Sequence, residues 1–274
     1  MAFLTDVRTH LPILASLICG LVCSGCFRTT ATLKINVDGS GTLVTRTIVL
    51  SAADDRLHHL FTALGADSKD TFPSELPSDE SLRRAASGYG ATLVSSTPIE
   101  EADGTGLEAT FSFRDINAVS VAELIGRASQ PDGSYLESST QPLAIQLQRN
   151  AGGAAVLRAR LSVWNRENAQ PFARNTNQAL EQSAEMAIMR DLLQGAHFVF
   201  AIEPNGTIVR ATTPYVDGRR VTLLDLQPEM MLTDEFAMKM AGARTDEEKN
   251  AVIADAAGAK IALAPEVTIE FMPK

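Results

Sequence analysis

Short alternating stretches separated by glycine-bearing turns recur along most of this chain, and they leave little room for an all-helical fold. Ala31 to Val37 and Thr42 to Leu50 both alternate apolar and polar residues around Asp38-Gly39-Ser40-Gly41. Glycine supplies the positive φ that a tight hairpin turn needs, so the pattern reads as strand–turn–strand. The same arrangement places Asp103-Gly104-Thr105-Gly106 between strands over Ala91–Ile99 and Leu107–Phe113, and Gly152-Gly153 between Leu143–Gln148 and Ala155–Val163. Asn205-Gly206 falls between His197–Ile202 and Thr207–Thr212, Asp217-Gly218 precedes Arg220–Leu226, and Val267–Phe271 reads as a last strand. Gly41-Thr42-Leu43-Val44-Thr45-Arg46-Thr47 also echoes Gly206-Thr207-Ile208-Val209-Arg210-Ala211-Thr212, each opening the second strand of an expected hairpin.

Helical patterns fill the gaps. Ser51 is a suitable N-cap for a helix over Ala52–Leu64, and Ser78 or Asp79 for one through Ala86. Asn117 starts a helix over Ala118–Arg127, and Thr176–Leu193 carries apolar residues at Leu180, Ala184, Ile188 and Leu192. Pro228 opens a methionine-rich helix to Met240, and Thr245 with Glu248 forms a capping box for a helix to Ala256. The expected fold class is α+β, with antiparallel β-hairpins in one or two sheets and about six interleaved helices. Met230, Met231, Met238 and Met240 suit an irregular core or an apolar groove, as do Met186 and Met189.

The first 26 residues concern address rather than fold. Residues 11 to 25 contain no charge and are largely apolar. Fifteen residues span roughly 22 Å as a helix, short of the ~20 residues a membrane span needs. A flank bearing Arg8 and Asp6, a short apolar run and the small residues Ser24-Gly25 before Cys26 match an exported precursor. The alternative is an uncleaved N-terminal anchor with a buried thiol. All three cysteines (Cys19, Cys23 and Cys26) lie at or before the expected cleavage point. Disulfides, thiol nucleophiles and zinc–thiolate sites are therefore excluded from the mature part.

The expected organisation is a signal peptide over 1–25, a tether over 26–30 and an α+β region over 31–164. A loop or linker over 165–175 and a second α+β region over 176–274 follow. Losing residues 1–25 would leave 249 residues (274 minus 25) and remove one acid and one base, so the net charge stays at −9. That balance argues against nucleic acid as a partner and against docking on anionic head groups.

The residues offer little chemistry. No Gly-x-Ser-x-Gly elbow, phosphate-binding loop or His-Glu-x-x-His occurs. Ser40 sits between glycines, but a hairpin tip explains it. His58 and His59 are neighbours on an expected helix and point about 100° apart, so they do not face one metal together. His197 in a strand reads as a packed or edge histidine. Glu100-Glu101 and Glu247-Glu248 fall in a loop and at a helix start, Asp225 and Glu270 read as outward strand positions, and Trp164 as core or rim. No catalytic residue, cofactor or metal ligand is assigned.

Ser24-Gly25-Cys26 behind its apolar run resembles the signal of bacterial lipoproteins. Cys26-Phe27-Arg28, followed by Leu33-Lys34-Ile35-Asn36-Val37-Asp38-Gly39-Ser40-Gly41-Thr42 and a helix, is similar to LppM-like lipoproteins. The chain departs from that family in having no apolar C-terminal segment. The resemblance implies Cys26 as the site of lipid attachment, a strand–turn–strand start, and a place in the cell envelope outside the cytoplasm. Some members of that family are linked to lipid binding. Phe27, rather than aspartate, after the cysteine points to the periplasmic face of an outer membrane where the source has one. The expected role is a non-enzymatic binding or envelope-assembly module for lipid or a protein partner. A hydrolase with a hidden carboxylate or serine site is the alternative.

Overall fold

The computed structural model describes residues 27–52, 56, 76–129, 143–150, 152–161, 190–191, 193–256, 259–264 and 266–273. Among these residues twelve strands form two sheets. In the larger sheet β1 (Phe27–Ile35) pairs with β2 (Gly41–Leu50), which pairs with β4 (Gly104–Phe113), and β3 (Thr92–Glu101) lies at the edge. On its other side β1 pairs with β7 (His197–Pro204), followed by β10 (Arg220–Leu226). The two-residue strands β9 (Val216–Asp217) and β11 (Lys260–Ile261) both pair with β10. The smaller sheet runs β5 (Leu143–Arg149), β6 (Ala155–Leu161), β12 (Val267–Met272) and β8 (Thr207–Ala211). Both sheets therefore draw strands from 31–164 and from 176–274.

Alternation in β1 shows how sequence sets the layers. Phe27, Thr29, Ala31, Leu33 and Ile35 are buried, while Arg28, Thr30, Thr32 and Lys34 face outward. The inward residues join a core shared by both sheets, in which Leu33, Leu43 and Phe111 meet Leu157, Ile269 and Phe271. Helix α1 (Asp79–Gly88) lies against β3 and buries Leu82 and Ala86. Helix α2 (Val121–Ser129) packs on β1, β2 and β5 through Val121, Leu124 and Ala128. Each presents an apolar stripe that the sheet covers, which supplies most of a short helix's stability.

The expected α+β class is found, with four α-helices among the described residues rather than six. Most of the expected helices over Ala52–Leu64 and Thr176–Leu193 lies outside the described residues, as do His58, His59, Trp164, Met186 and Met189. The expected helix from Pro228 to Met240 divides into a 3-10 turn (Pro228–Met231) and α3 (Asp234–Gly242), because Thr233 caps a fresh start by accepting from the Phe236 N–H at 3.1 Å. Helix α3 buries no residue, and Met230 and Met238 are exposed, so these two methionines do not join the core. Helix α4 (Asp246–Ala254) has the expected capping box between Thr245 and Glu248.

Three strand expectations need correction. Asn205-Gly206 does not close a hairpin, since β7 and β8 belong to different sheets; the chain crosses between layers there. Its sequence echo at Gly41 opens a true hairpin, so the likeness reflects strand composition and a close backbone approach. Gly104 and Gly106 lie within β4 rather than in a turn, because a Cβ at either would overlap a carbonyl oxygen of β2. Finally, residues 27–30 begin β1 and do not form a tether.

Open edges carry irregularities. Val94 in β3 and Val209 in β8 fall at register shifts and are exposed, and β3 also contains Pro98. The side-chain amide of Asn117 pairs with edge strand β5, accepting from the Leu147 N–H at 2.8 Å and donating to its carbonyl oxygen at 3.2 Å.

Gly106→Ala places a methyl against the Thr47 carbonyl and the Ile48 backbone, whereas Gly152 has nothing nearby. Gly106→Ala should cost about 1–3 kcal/mol in chemical denaturation, as overpacking does, and Gly152→Ala should be near neutral. Equal midpoints for the two variants would contradict the close strand approach.

Candidate functional site

Where β1 ends, five residues make the turn into β2. The Asn36 N–H donates to the Ser40 carbonyl at 2.8 Å and the Gly39 N–H to the Asn36 carbonyl at 3.0 Å, with Gly39 at φ +88°. Asp38 completes an Asx-type turn: one carboxylate oxygen accepts from the Ser40 N–H at 2.9 Å and from its hydroxyl at 2.6 Å. These bonds to Ser40 hold the Asp38 carboxyl below its usual range, with a smaller contribution from the charge of Arg149. Asn36 donates from Nδ2 to Ser40 Oγ at 2.9 Å, and Asn205 donates from Nδ2 to Asn36 Oδ1 at 2.8 Å. The Asn205 N–H also donates to the Ile35 carbonyl at 2.7 Å. A continuous chain of bonds thus fastens the β1–β2 tip to the end of β7.

That fastening exists because β1 and β7 run parallel, with Ile35 opposite Pro204. Their ends, the β9–β10 turn and the end of β4 come together around a cleft of about 650 Å³. Ile35, Phe113 and Pro204 supply its apolar surface, and Asn36, Ser40, Thr42 and Asn205 its neutral polar groups. Lys34, Arg219 and Arg220 bring positive charge, Glu203 and Asp217 negative. Arg220 Nη1 is held by Glu203 at 2.9 Å and lies 3.5 Å from Thr32 Oγ1. Gly41 leaves no room for a Cβ beside the Lys34 carbonyl and the Phe113 ring, and Gly218 takes φ +56° at the β9–β10 tip.

At the other end of β1, Arg28 pairs with Glu101 at 2.7 Å and with Asp103, while Arg46 pairs with Glu101 and lies 3.8 Å from Glu108. His197 Nε2 is 2.8 Å from Asp225, whose other oxygen lies 3.9 Å from Lys260. Asp225 is outward-facing as the alternation indicates, and the pair ties β7 to β10. Such half-exposed pairs are each worth about 0–1 kcal/mol. Glu248 accepts from the Thr245 N–H at 3.1 Å and from the Arg244 N–H, which lowers its pKa, so its expected neighbour pair with Glu247 is a capping device.

Cys26 lies outside the described residues; the residue after it, Phe27, is the buried first residue of β1. Among the described residues no group of three or more His, Cys, Asp or Glu side chains is placed to hold a metal, and no described helix is long and apolar enough to cross a membrane. Sequence reading treats Asp38 and Ser40 as a turn, which they are, but does not find their bond chain to Asn205. The only signal was an asparagine at each tip.

No protein family matches the chain, and no curated protein does. Among solved structures it is similar to the NMR structure of the folded domain of LppM from Mycobacterium tuberculosis. That similarity covers 92% of each chain at 10% identity and a TM-score of 0.37, too distant to transfer a fold or a function.

Because Ser40 stabilises the ionised Asp38, its contribution to stability is complete above the unfolded-state pKa and is lost as pH falls through the lower folded value. Ser40→Ala should move the Asp38 titration upward toward the ordinary carboxylate range in a carbon-detected NMR titration, and narrow the acid range over which the tip stays ordered. An unchanged Asp38 titration would show that Ser40 does not hold it.

Proposed function

We propose that this chain is an extracytoplasmic lipoprotein held by acyl chains on Cys26, whose domain is a non-enzymatic binding or assembly module in the cell envelope. The observation that carries the reading is that β1, in the middle of the larger sheet, begins at Phe27, directly after the cysteine. Two or three acyl chains at about 0.8 kcal/mol per buried CH₂ give durable attachment, and no slack separates them from the fold. A place on the periplasmic face of an outer membrane follows from Phe27 where the source has two membranes.

The tip chemistry supports binding rather than turnover. A serine nucleophile needs a base with a pKa near the working pH, and Asp38 is pushed the other way by Ser40. Glu203 is engaged by Arg220. The cleft is polar and open, which favours a protein partner or a lipid's polar head over an acyl chain.

Mass spectrometry of the protein expressed from its full gene should give a mature N-terminus at Cys26 carrying acyl chains. Cys26→Ala should lose both the acylation and the membrane fraction while keeping its thermal midpoint. Persistence of residues before Cys26, or a mature mass without acyl chains, would sink the anchor. Hydrolytic turnover of envelope substrates by the purified chain would overturn the non-enzymatic reading.

A further inference from the structure

We infer that the cleft at the end of the β1/β7 pair is a recognition site for an oxyanion, a carboxylate or phosphate group carried on a hydrophilic ligand. The inference deepens the binding reading given above and does not depend on acylation at Cys26.

Charge bookkeeping within the larger sheet carries it. The chain has 24 basic and 33 acidic residues, and the other cations on the strands of the larger sheet lie beside acids. Arg28 and Arg46 share Glu101, Arg220 is bonded to Glu203, and Lys260 lies near Asp225. Lys34 and Arg219 differ. Both line the cleft, and neither side chain has a hydrogen-bond or ion-pair partner among the described residues. Two like charges left unpaired on one concave surface raise the local potential for an incoming anion.

Two of the acidic groups near the cations are otherwise engaged. Glu203 sits opposite Lys34 in the strand register yet is bonded to Arg220. Asp38 is taken up by the N–H and hydroxyl of Ser40. Asp217 also lines the cleft, whose three cations and two carboxylates leave one net positive charge. The walls are also fixed in advance. Asn205, Asn36, Ser40 and Asp38 are bonded in series, so the two tips that bear on the cleft do not have to be ordered when a ligand arrives. The guanidinium of Arg219 offers a planar fork that matches a carboxylate or phosphate, and Lys34 adds a point charge. With hydroxyl and amide groups making up much of the remaining lining, a polar ligand body fits better than a hydrocarbon one.

The test is isothermal titration calorimetry of the full chain in a neutral detergent with three probes: inorganic phosphate, citrate and poly-L-glutamate. At least one should bind saturably and more weakly as salt is raised. Lys34→Glu with Arg219→Glu should weaken that binding by about tenfold or more, the scale of a lost charge-assisted contact. Lys34→Arg with Arg219→Lys should largely retain it. Arg83→Glu with Arg84→Glu imposes the same change in net charge on α1 and should leave binding near its original strength. Thermal melts of all variants check that the fold is kept. Binding of phosphate alone identifies a phosphorylated ligand, and binding of the carboxylates alone an acidic peptide or acid. No saturable binding by any probe, or an equal loss in the Arg83/Arg84 control, would overturn the inference. Membrane retention of the Lys34/Arg219 variant, compared with its loss in Cys26→Ala, separates failure of the cleft from failure of the anchor.

Discussion

Parallel pairing of β1 with β7 is the contact on which the rest of the molecule depends. Without it the larger sheet would be two separate pieces, β2–β4–β3 with β1 on one side and β7 with β10 on the other. Eight register pairs, from Arg28 opposite His197 to Ile35 opposite Pro204, join segments about 170 residues apart in sequence. A parallel pair cannot be closed by a tight turn and needs a long connection. Here that connection contains β2 to β6 and both helices that cover the inner face. The same pairing brings the Asn36–Ser40 tip beside Asn205, and so creates the cleft. It also places Arg28 and His197 at the opposite end, next to the residue that follows Cys26.

Most of the local structure was legible because it depends on short-range rules. The alternation from Ala31 to Leu50 and the Asp38–Gly41 turn gave β1 and β2, and Thr245 with Glu248 gave the start of α4. What failed did so for long-range reasons. Gly104 and Gly106 look like turn residues locally, but their role is to let β2 approach β4, which no local pattern records. Asn205-Gly206 carries a strong hairpin signature, yet β8 finds β12 some sixty residues later. Methionines at Met230 and Met238 suggested burial; Thr233 restarts the helix and leaves them in water.

The candidate site was half visible. Asp38 and Ser40 were seen, but only as a turn, because their neighbours Asn205, Arg219 and Arg220 come from a distant part of the chain. Lys34 had the ordinary look of an outward strand residue. Its interest arises because no charge partner reaches it among the described residues, and partners are decided by strand order. Two electrostatic regimes result on one sheet: a cross-linked ionic network around Arg28 and Arg46, and unpaired positive charge around Lys34 and Arg219.

The bulged valines at the sheet edges have a consequence for crowding. An open strand invites another strand to complete its hydrogen bonds, and flat regular edges do this most readily. Val94 and Val209 interrupt that regularity on one edge of each sheet, and Pro98 removes a donor from β3. Two copies meeting at these borders would find mismatched hydrogen-bond registers rather than a ready strand to pair with.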